Sequence, residues 1–361
     1  MSQYREAAYW LAALNATGLD RRAAKRAIHL WCVEKEHALS ALFAQKATEV
    51  AAQCSIDVQQ AACLLDARGD VPAKEALLQE LEQKRIDLVT YVNVAYPESL
   101  LQHLSKDWLP CFLFYRGDLS ILTEPTLAVF GDENPSSQAQ EMTVALAELL
   151  TRGGYPVISG YSSGIERRAV DTVRAQGGRA AILLPIGIRR FDGCLVEMGE
   201  EIADSRLVVL SPYLPDATYT ETLARAREVL VAALSEAIFI IAPDHGPGEW
   251  AWLERFQERS GRIFIWDDGG NKVSDWEQAG ATPFQELVDA EDLLRDLFGV
   301  APSDLEEKLE DEELTDMDPI EFIDADSAIE VLSQSGNVPD VLARRLRDTD
   351  WPEPQVPDDD L

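Results

Sequence analysis

The residues best suited to holding a ligand lie in one stretch, Ser159-Gly160-Tyr161-Ser162-Ser163-Gly164. Ahead of it, Tyr155, Val157 and Ile158 form a short apolar, β-branched run. Behind it, Ile165, Ala169, Val170 and Val173 recur at helical spacing until Gly177-Gly178 stops the helix. The pattern is strand, glycine loop, helix. Such a turn directs backbone N–H groups out of a helix N-terminus, where the dipole favours an anion, so a phosphate is the expected ligand. The bland alternative is a tight turn alone. Gly160-Tyr161-Ser162-Ser163-Gly164 also has the letters of a Gly-x-Ser-x-Gly nucleophile elbow. Only His245 follows it, with no obvious orienting acid, and no catalytic residue is expected.

Basic residues cluster around this loop. Arg167 and Arg174 are two helical turns apart on one face, with Arg168 beside them, and Arg189 and Arg190 follow a third strand-like run. Together with Arg116 they make candidates for a patch that tracks a nucleic-acid backbone, with Tyr161, Phe191 or Tyr213 as stacking partners. The alternative is a solvated helix face. An earlier loop, Gly131-Asp132-Glu133-Asn134-Pro135-Ser136, carries two carboxylates that repel a polyanion. They suit a sugar hydroxyl or a cation better, or are plain solvated acids. The four histidines lack metal-ligand spacing, and the five cysteines form no Cys-x-x-Cys pair, so neither a metal site nor a cofactor is expected.

These residues need a scaffold, and the chain supplies an alternating one. Strand-like runs at 127–130, 155–159, 180–184, 207–211, 237–241 and 262–266 are separated by helical stretches near 137–152, 165–176, 195–203, 218–234 and 249–259. That alternation predicts a parallel sheet covered by helices on both faces, a Rossmann-like α/β fold. In such folds ligands sit beyond the carboxyl ends of the strands, where the strand order reverses. The loops 131–137, 159–164 and 242–248 are expected at that edge.

Residues 1–88 read instead as a helical module, with helices at 5–15, 21–36, 38–54, 57–66 and 73–84. A strand-like run at 86–94 follows. A closing helix is expected at 290–297. Beyond residue 299 the chain becomes an acidic tether with one or two short helices at 320–347; residues 301–361 hold about 20 acids and 4 bases, roughly half of the net charge of −32. The domain reading is therefore 1–88, 89–299 and 300–361. Nucleic-acid binders usually carry a basic footprint, so the overall charge weighs against tight DNA binding while leaving room for a local patch. The apolar runs are strand-sized and the N-terminus lacks a secretory pattern, so a cytoplasmic location is expected and no membrane partner.

Two segments ahead of the α/β region, Tyr96-Pro97-Glu98-Ser99-Leu100 and Leu109-Pro110-Cys111-Phe112-Leu113-Phe114-Tyr115-Arg116-Gly117-Asp118, carry a resemblance. The chain resembles the DNA-processing protein A family (DprA, also called Smf), whose members have Tyr-Pro-x-x-Leu and then Pro-x-x-Leu-Phe-x-x-Gly-Asp before a Rossmann-like domain. The family's central signature, Ser-Gly-x-Ala-x-Gly-Ile-Asp and then Ala-His, is here Ser159-Gly160-Tyr161-Ser162-Ser163-Gly164-Ile165-Glu166 and then Ala169-Val170. Its first loop, Gly-Ser-Arg-x-x-Ser, keeps Gly131 and Ser136 but has an acid in place of the arginine. Its third signature keeps Arg227, with Arg225 close by. The resemblance runs from about residue 8 to residue 298. It implies a non-enzymatic protein that binds single-stranded DNA, assists a RecA-type recombinase during DNA uptake, and works as a homodimer. On that basis the phosphate- or DNA-binding candidates are Ser159, Gly160, Ser162, Ser163, Gly164, Gly131, Ser136, Arg167, Arg168, Arg174, Arg225 and Arg227. An alternative on the same fold is a sensor or adaptor that binds a nucleotide or nucleotide derivative without binding DNA.

Overall fold

The computed structural model describes residues 4–243, 245–250, 252–259, 261–269 and 273–299. By contacts these fall into two units, 4–84 with 90–94, and 85–89 with 95–299. The expected acidic run and the helices at 320–347 lie outside the described residues.

The first unit is helical: α1 (Arg5–Leu14), α2 (Arg21–His29), α3 (Leu39–Leu42), α4 (Ala47–Cys54), α5 (Val58–Asp66) and α6 (Val71–Gln83). In α1 the whole run from Ala8 to Leu14 is buried, which makes it the centre of this unit's core. Short acids cap two of the other helices. The Asp20 carboxylate accepts the Ala23 N–H at the start of α2, and Asp57 and Gln60 form a reciprocal capping box at α5. Two elements differ from expectation. The single helix expected at 38–54 is broken, because Phe43 turns into the core against Tyr9 at 4.9 Å while the Ala44 and Gln45 amides close tight turns onto Ala41 and Leu42. The strand expected at 86–94 stops at Thr90, whose N–H donates to Asn93 Oδ1 at 2.7 Å; the Asn93 amide donates back, and the chain turns.

The second unit is built on a sheet. Its strands are β1 (Asp87–Thr90), β2 (Phe112–Arg116), β3 (Thr126–Gly131), β4 (Val157–Ser159), β5 (Ala180–Leu183), β6 (Leu207–Ser211), β7 (Ser235–Ile241), β8 (Arg262–Trp266) and β9 (Thr282–Phe284). Their order is β1-β2-β6-β5-β4-β3-β7-β8-β9. From β6 through to β9 every neighbouring pair is parallel, and β2 runs antiparallel to β6. Central strands read as continuous apolar runs because both faces are covered. Leu127 to Phe130 and Ala237 to Ile241 are at most 1% exposed.

The helices are α7 (Glu98–His103), α8 (Ser137–Arg152), α9 (Ile165–Ala175), α10 (Asp192–Glu197), α11 (Gly199–Ala203), α12 (Glu221–Leu234), α13 (Leu253–Glu258), α14 (Val273–Gln278) and α15 (Leu287–Phe298). Three differ from expectation. The helix expected at 195–203 divides at buried Met198, the one expected at 249–259 is reduced to α13, and α15 starts earlier because Glu286 and Asp289 cap it. The two segments that carry the family resemblance meet: the buried Tyr96 hydroxyl donates to the Pro110 carbonyl at 2.7 Å.

The topology fixes where the site lies. From β3 the chain winds outward through β4, β5 and β6, and α12 then carries it back to β7 on the other side of β3. The reversal therefore opens between β3 and β7, beyond their carboxyl ends.

Candidate nucleic-acid interface

Three loops meet at that reversal. The Asp132 amide donates to the Ala242 carbonyl at 3.2 Å, and the Ile165 amide donates to the Asp132 carbonyl at 3.1 Å. Gly131 and Gly164 allow this closeness. A Cβ on Gly131 would overlap the Ile241 carbonyl, and one on Gly164, whose φ is +79°, would overlap the backbone of Asp132 and Glu133. In the first loop the serine's role is local: Ser136 Oγ accepts the Ala139 amide at 3.1 Å and caps α8. Asp132 Oδ1 accepts the Asn134 amide at 2.8 Å in an Asx turn.

The central loop is closed by a residue that lay among its motif letters. Glu166, the second residue of α9, folds back so that Oε2 accepts from Gly160 N–H at 3.1 Å, Ser162 N–H at 3.3 Å and Ser159 Oγ at 3.3 Å. Arg227 Nη1, from the middle of α12, donates to the same oxygen at 2.9 Å, and Nη2 donates to Ser162 Oγ at 3.0 Å. Arg227 is 2% exposed and Glu166 5%. A Cβ on Gly160 would overlap the Arg227 guanidinium, so the glycine is there to admit that side chain. The Tyr161 amide is also taken, by Ser159 Oγ at 3.1 Å. This corrects the expectation of an open phosphate site at the loop amides. Those of Gly160 and Ser162 already hold a carboxylate.

It also corrects Arg227, expected as a phosphate- or DNA-binding arginine; it is buried and paired internally with Glu166. The signal for that was in α12, where Ala224, Arg227, Leu230, Val231 and Leu234 share one helical face that is otherwise apolar. Ser162, the residue with the elbow's letters, is bonded to Arg227, and His245 stands 3.7 Å from Glu249.

Outside this closed core an aromatic and basic surface remains. Tyr161 has φ +60°, a left-handed backbone that is uncommon for a bulky side chain. It is held there by its backbone N–H, which donates to Ser159 Oγ, and by its hydroxyl, which donates to Asp171 Oδ1 at 2.6 Å. Burial and the Asp171 bond push the phenol above its ordinary value. The Arg167 guanidinium lies over the Tyr161 ring at 4.9 Å, and the Phe191 ring meets its edge at 5.8 Å. Arg167 is half exposed and reaches Asp171 only at 3.9 Å. Arg168 is exposed beside it.

The remaining arginines are more committed. Arg174 is clamped by Glu201 at 2.6 Å and Asp171 at 3.3 Å, Arg189 pairs with Asp216 at 3.3 Å, and Arg190 donates to the Asp216 carbonyl. Arg225 is exposed and paired with Glu221 one turn away. Ser163 is exposed at the tip of the loop. The structure thus brings Tyr161, Arg167, Arg168 and Phe191 together at the carboxyl edge and turns Ser159, Gly160 and Arg227 inward. Among the described residues no group of metal-ligating side chains is assembled, and no helix is long and apolar enough to cross a membrane.

The structure is similar to that of DNA processing protein A from Streptococcus pneumoniae, with a TM-score of 0.60 at 18% identity, over 77% of this chain and 95% of that one. In sequence, the chain is 24% identical over 155 residues to the DNA processing protein DprA of the same species, covering 43% of this chain and 55% of that protein. It is 25% identical over 169 residues to the Smf protein of Synechocystis, covering 45% of this chain and 42% of that protein. The chain spans about half the length of the curated relatives it matches. The family model described as DNA recombination-mediator protein A matches residues 87–273, just over half of the chain, and the protein belongs to that family.

Proposed function

We propose that this protein captures single-stranded DNA at the carboxyl edge of its parallel strands, without catalysing a reaction, and assists loading of a RecA-type recombinase. A homodimer would lengthen the binding surface. The observation that carries the reading is the grouping of half-buried Tyr161 and Phe191 with exposed Arg167 and Arg168 at the switch in strand order. Aromatic faces stack on any base, and arginines beside them hold the phosphates between. The carboxylates nearby do not remove this capacity. Exposed pairs such as Arg167 with Asp171 are weak, and a strand's phosphates compete for the guanidinium.

The acidic balance of the chain sets the scale. With a net charge of −32, binding is confined to this patch and falls steeply with salt, because each phosphate neutralised releases counterions. Anisotropy of a labelled oligo-dT strand at low and moderate salt tests it. Saturable, salt-sensitive binding supports the reading, and no binding at low salt ends it. The alternative, a sensor for a nucleotide or its derivative, is less well supported, since it needs open loop amides and those of Gly160 and Ser162 are bonded to Glu166.

A further inference from the structure

We infer that the central loop is an anion nest that carries its own anion, the Glu166 carboxylate, and that Glu166 thereby excludes phosphomonoesters from the loop amides. The donor set is that of a phosphate site: two backbone amides from a glycine turn, a serine hydroxyl and one guanidinium, all converging on a single oxygen. The helix behind the turn has eleven residues, enough for its N-terminal field to favour a negative group there. The group supplied is internal, one residue into that same helix.

The arrangement is also locked. Arg227 lies 2% exposed against Gly160, its Nε has no hydrogen-bond partner among the described residues, and its Nη2 is spent on Ser162. The guanidinium is enclosed and bonded at both Nη atoms, and an incoming dianion would have to displace a carboxylate that four donors hold. Asp132 and Glu133, whose backbone seats on Gly164, add further negative charge at the mouth of the loop. A phosphomonoester such as inorganic phosphate or a mononucleotide is thus refused at the loop. A strand whose phosphates lie above it, over the Tyr161 surface, is not. The inference deepens the strand-binding reading by naming the ligand class refused, and it rests on the loop geometry alone.

The test is a titration of the ¹⁵N-labelled full chain with inorganic phosphate and with dTMP, followed at the amide resonances of Gly160 and Ser162. Those two resonances are expected to stay in place in the wild type. In Glu166→Ala the nest is vacated, and inorganic phosphate is expected to bind at least about tenfold more tightly than to the wild type, with a saturable rise in melting temperature. Acetate, which restores the missing carboxylate, should give the same rise. Glu166→Gln fills the nest with a neutral amide and should gain no phosphate binding. Phosphate-dependent movement of Gly160 and Ser162 in the wild type overturns the inference, as does a folded Glu166→Ala that gains nothing. If Glu166→Ala folds only with phosphate or acetate present, that rescue supports it. If it folds in neither, the wild-type titration decides. Oligo-dT anisotropy on the same samples is read separately, so loss of strand binding and failure of the nest are distinct outcomes.

Discussion

The Arg227 guanidinium packs against the backbone of Gly160, with Nη1 2.9 Å from Glu166 Oε2, and this buried pair ties the first turn of α9 to the middle of α12. Both partners are almost without solvent. Removing either leaves a buried charge uncompensated, which costs far more than the pair itself contributes. Arg227→Met is therefore expected to lower unfolding free energy by about 3 to 5 kcal/mol. The double variant Arg227→Met, Glu166→Leu should recover a large part of that loss. Urea denaturation of the four members of this cycle measures it, and simple additivity would show that the pair is not coupled.

Gly160 has a role separate from turn geometry, since it makes room for the guanidinium. Gly160→Ala drives a methyl group into Arg227 and is expected to cost about 2 to 3 kcal/mol, in the range of overpacked cores. Gly177 offers the control, because nothing among the described residues lies within 4 Å of a Cβ there; its cost is limited to the left-handed backbone at φ +74°. Thermal denaturation of the two alanine variants should rank Gly160→Ala as the more damaging.

On the proposed strand-binding surface, Arg167 and Arg168 act through phosphates and Tyr161 through stacking. The double variant Arg167→Ala, Arg168→Ala should weaken oligo-dT binding and make its log–log salt dependence shallower by about 1.4, at about 0.7 per phosphate contact on a single strand. Tyr161→Ala should lower affinity by about 1 to 3 kcal/mol and leave the slope nearly unchanged. Anisotropy at several salt concentrations separates the two effects.

The loop acids act in the opposite direction. Asp132 is needed for its turn onto Asn134, while Glu133 is exposed and has no such duty. Glu133→Arg exchanges a repulsive charge for an attractive one at the mouth of the site. It should tighten oligo-dT binding and steepen the salt slope by about 0.7. Unchanged affinity would mean that the strand does not pass this loop.

A pH effect is expected away from the site. His103 Nδ1 is 2.9 Å from the Ala233 carbonyl, and Arg259 Nη1 stands 2.6 Å from the same ring nitrogen. Burial, and then the neighbouring guanidinium, hold the imidazole below its ordinary value of 6.5, while the Ala233 contact opposes them. Arg259 itself is drawn down to about 10 by burial. Because the folded imidazole takes up its proton at lower pH than the unfolded one, its contribution to stability is intact above pH 6.5. It is lost as pH falls through the depressed folded value. His103→Gln should flatten the stability profile between neutral and mildly acidic pH, and urea midpoints measured across that range check this.

Alternation of apolar runs and amphipathic stretches was enough to place β3 to β8 and the longer helices between them, because strands covered on both faces must be apolar throughout. Spacing also located the loops at 131–137 and 159–164, since glycine and short polar residues leave few other conformations. Tyr161 and Arg167 to Arg168 could be nominated for the same reason, being fixed to the loop and to one helix face. Local sequence did not decide what the loop holds. Glu166 and Arg227 are 61 residues apart, and only the return of α12 across the sheet puts them on one oxygen. Nor could spacing tell that Arg174 would be spent on Glu201, or that Phe43 would break a helix by turning toward Tyr9. Short-range pattern determines which segments form and which faces are apolar. The pairing of charges between segments is set by how those faces meet, and here it converted an apparent phosphate loop into one that is already filled.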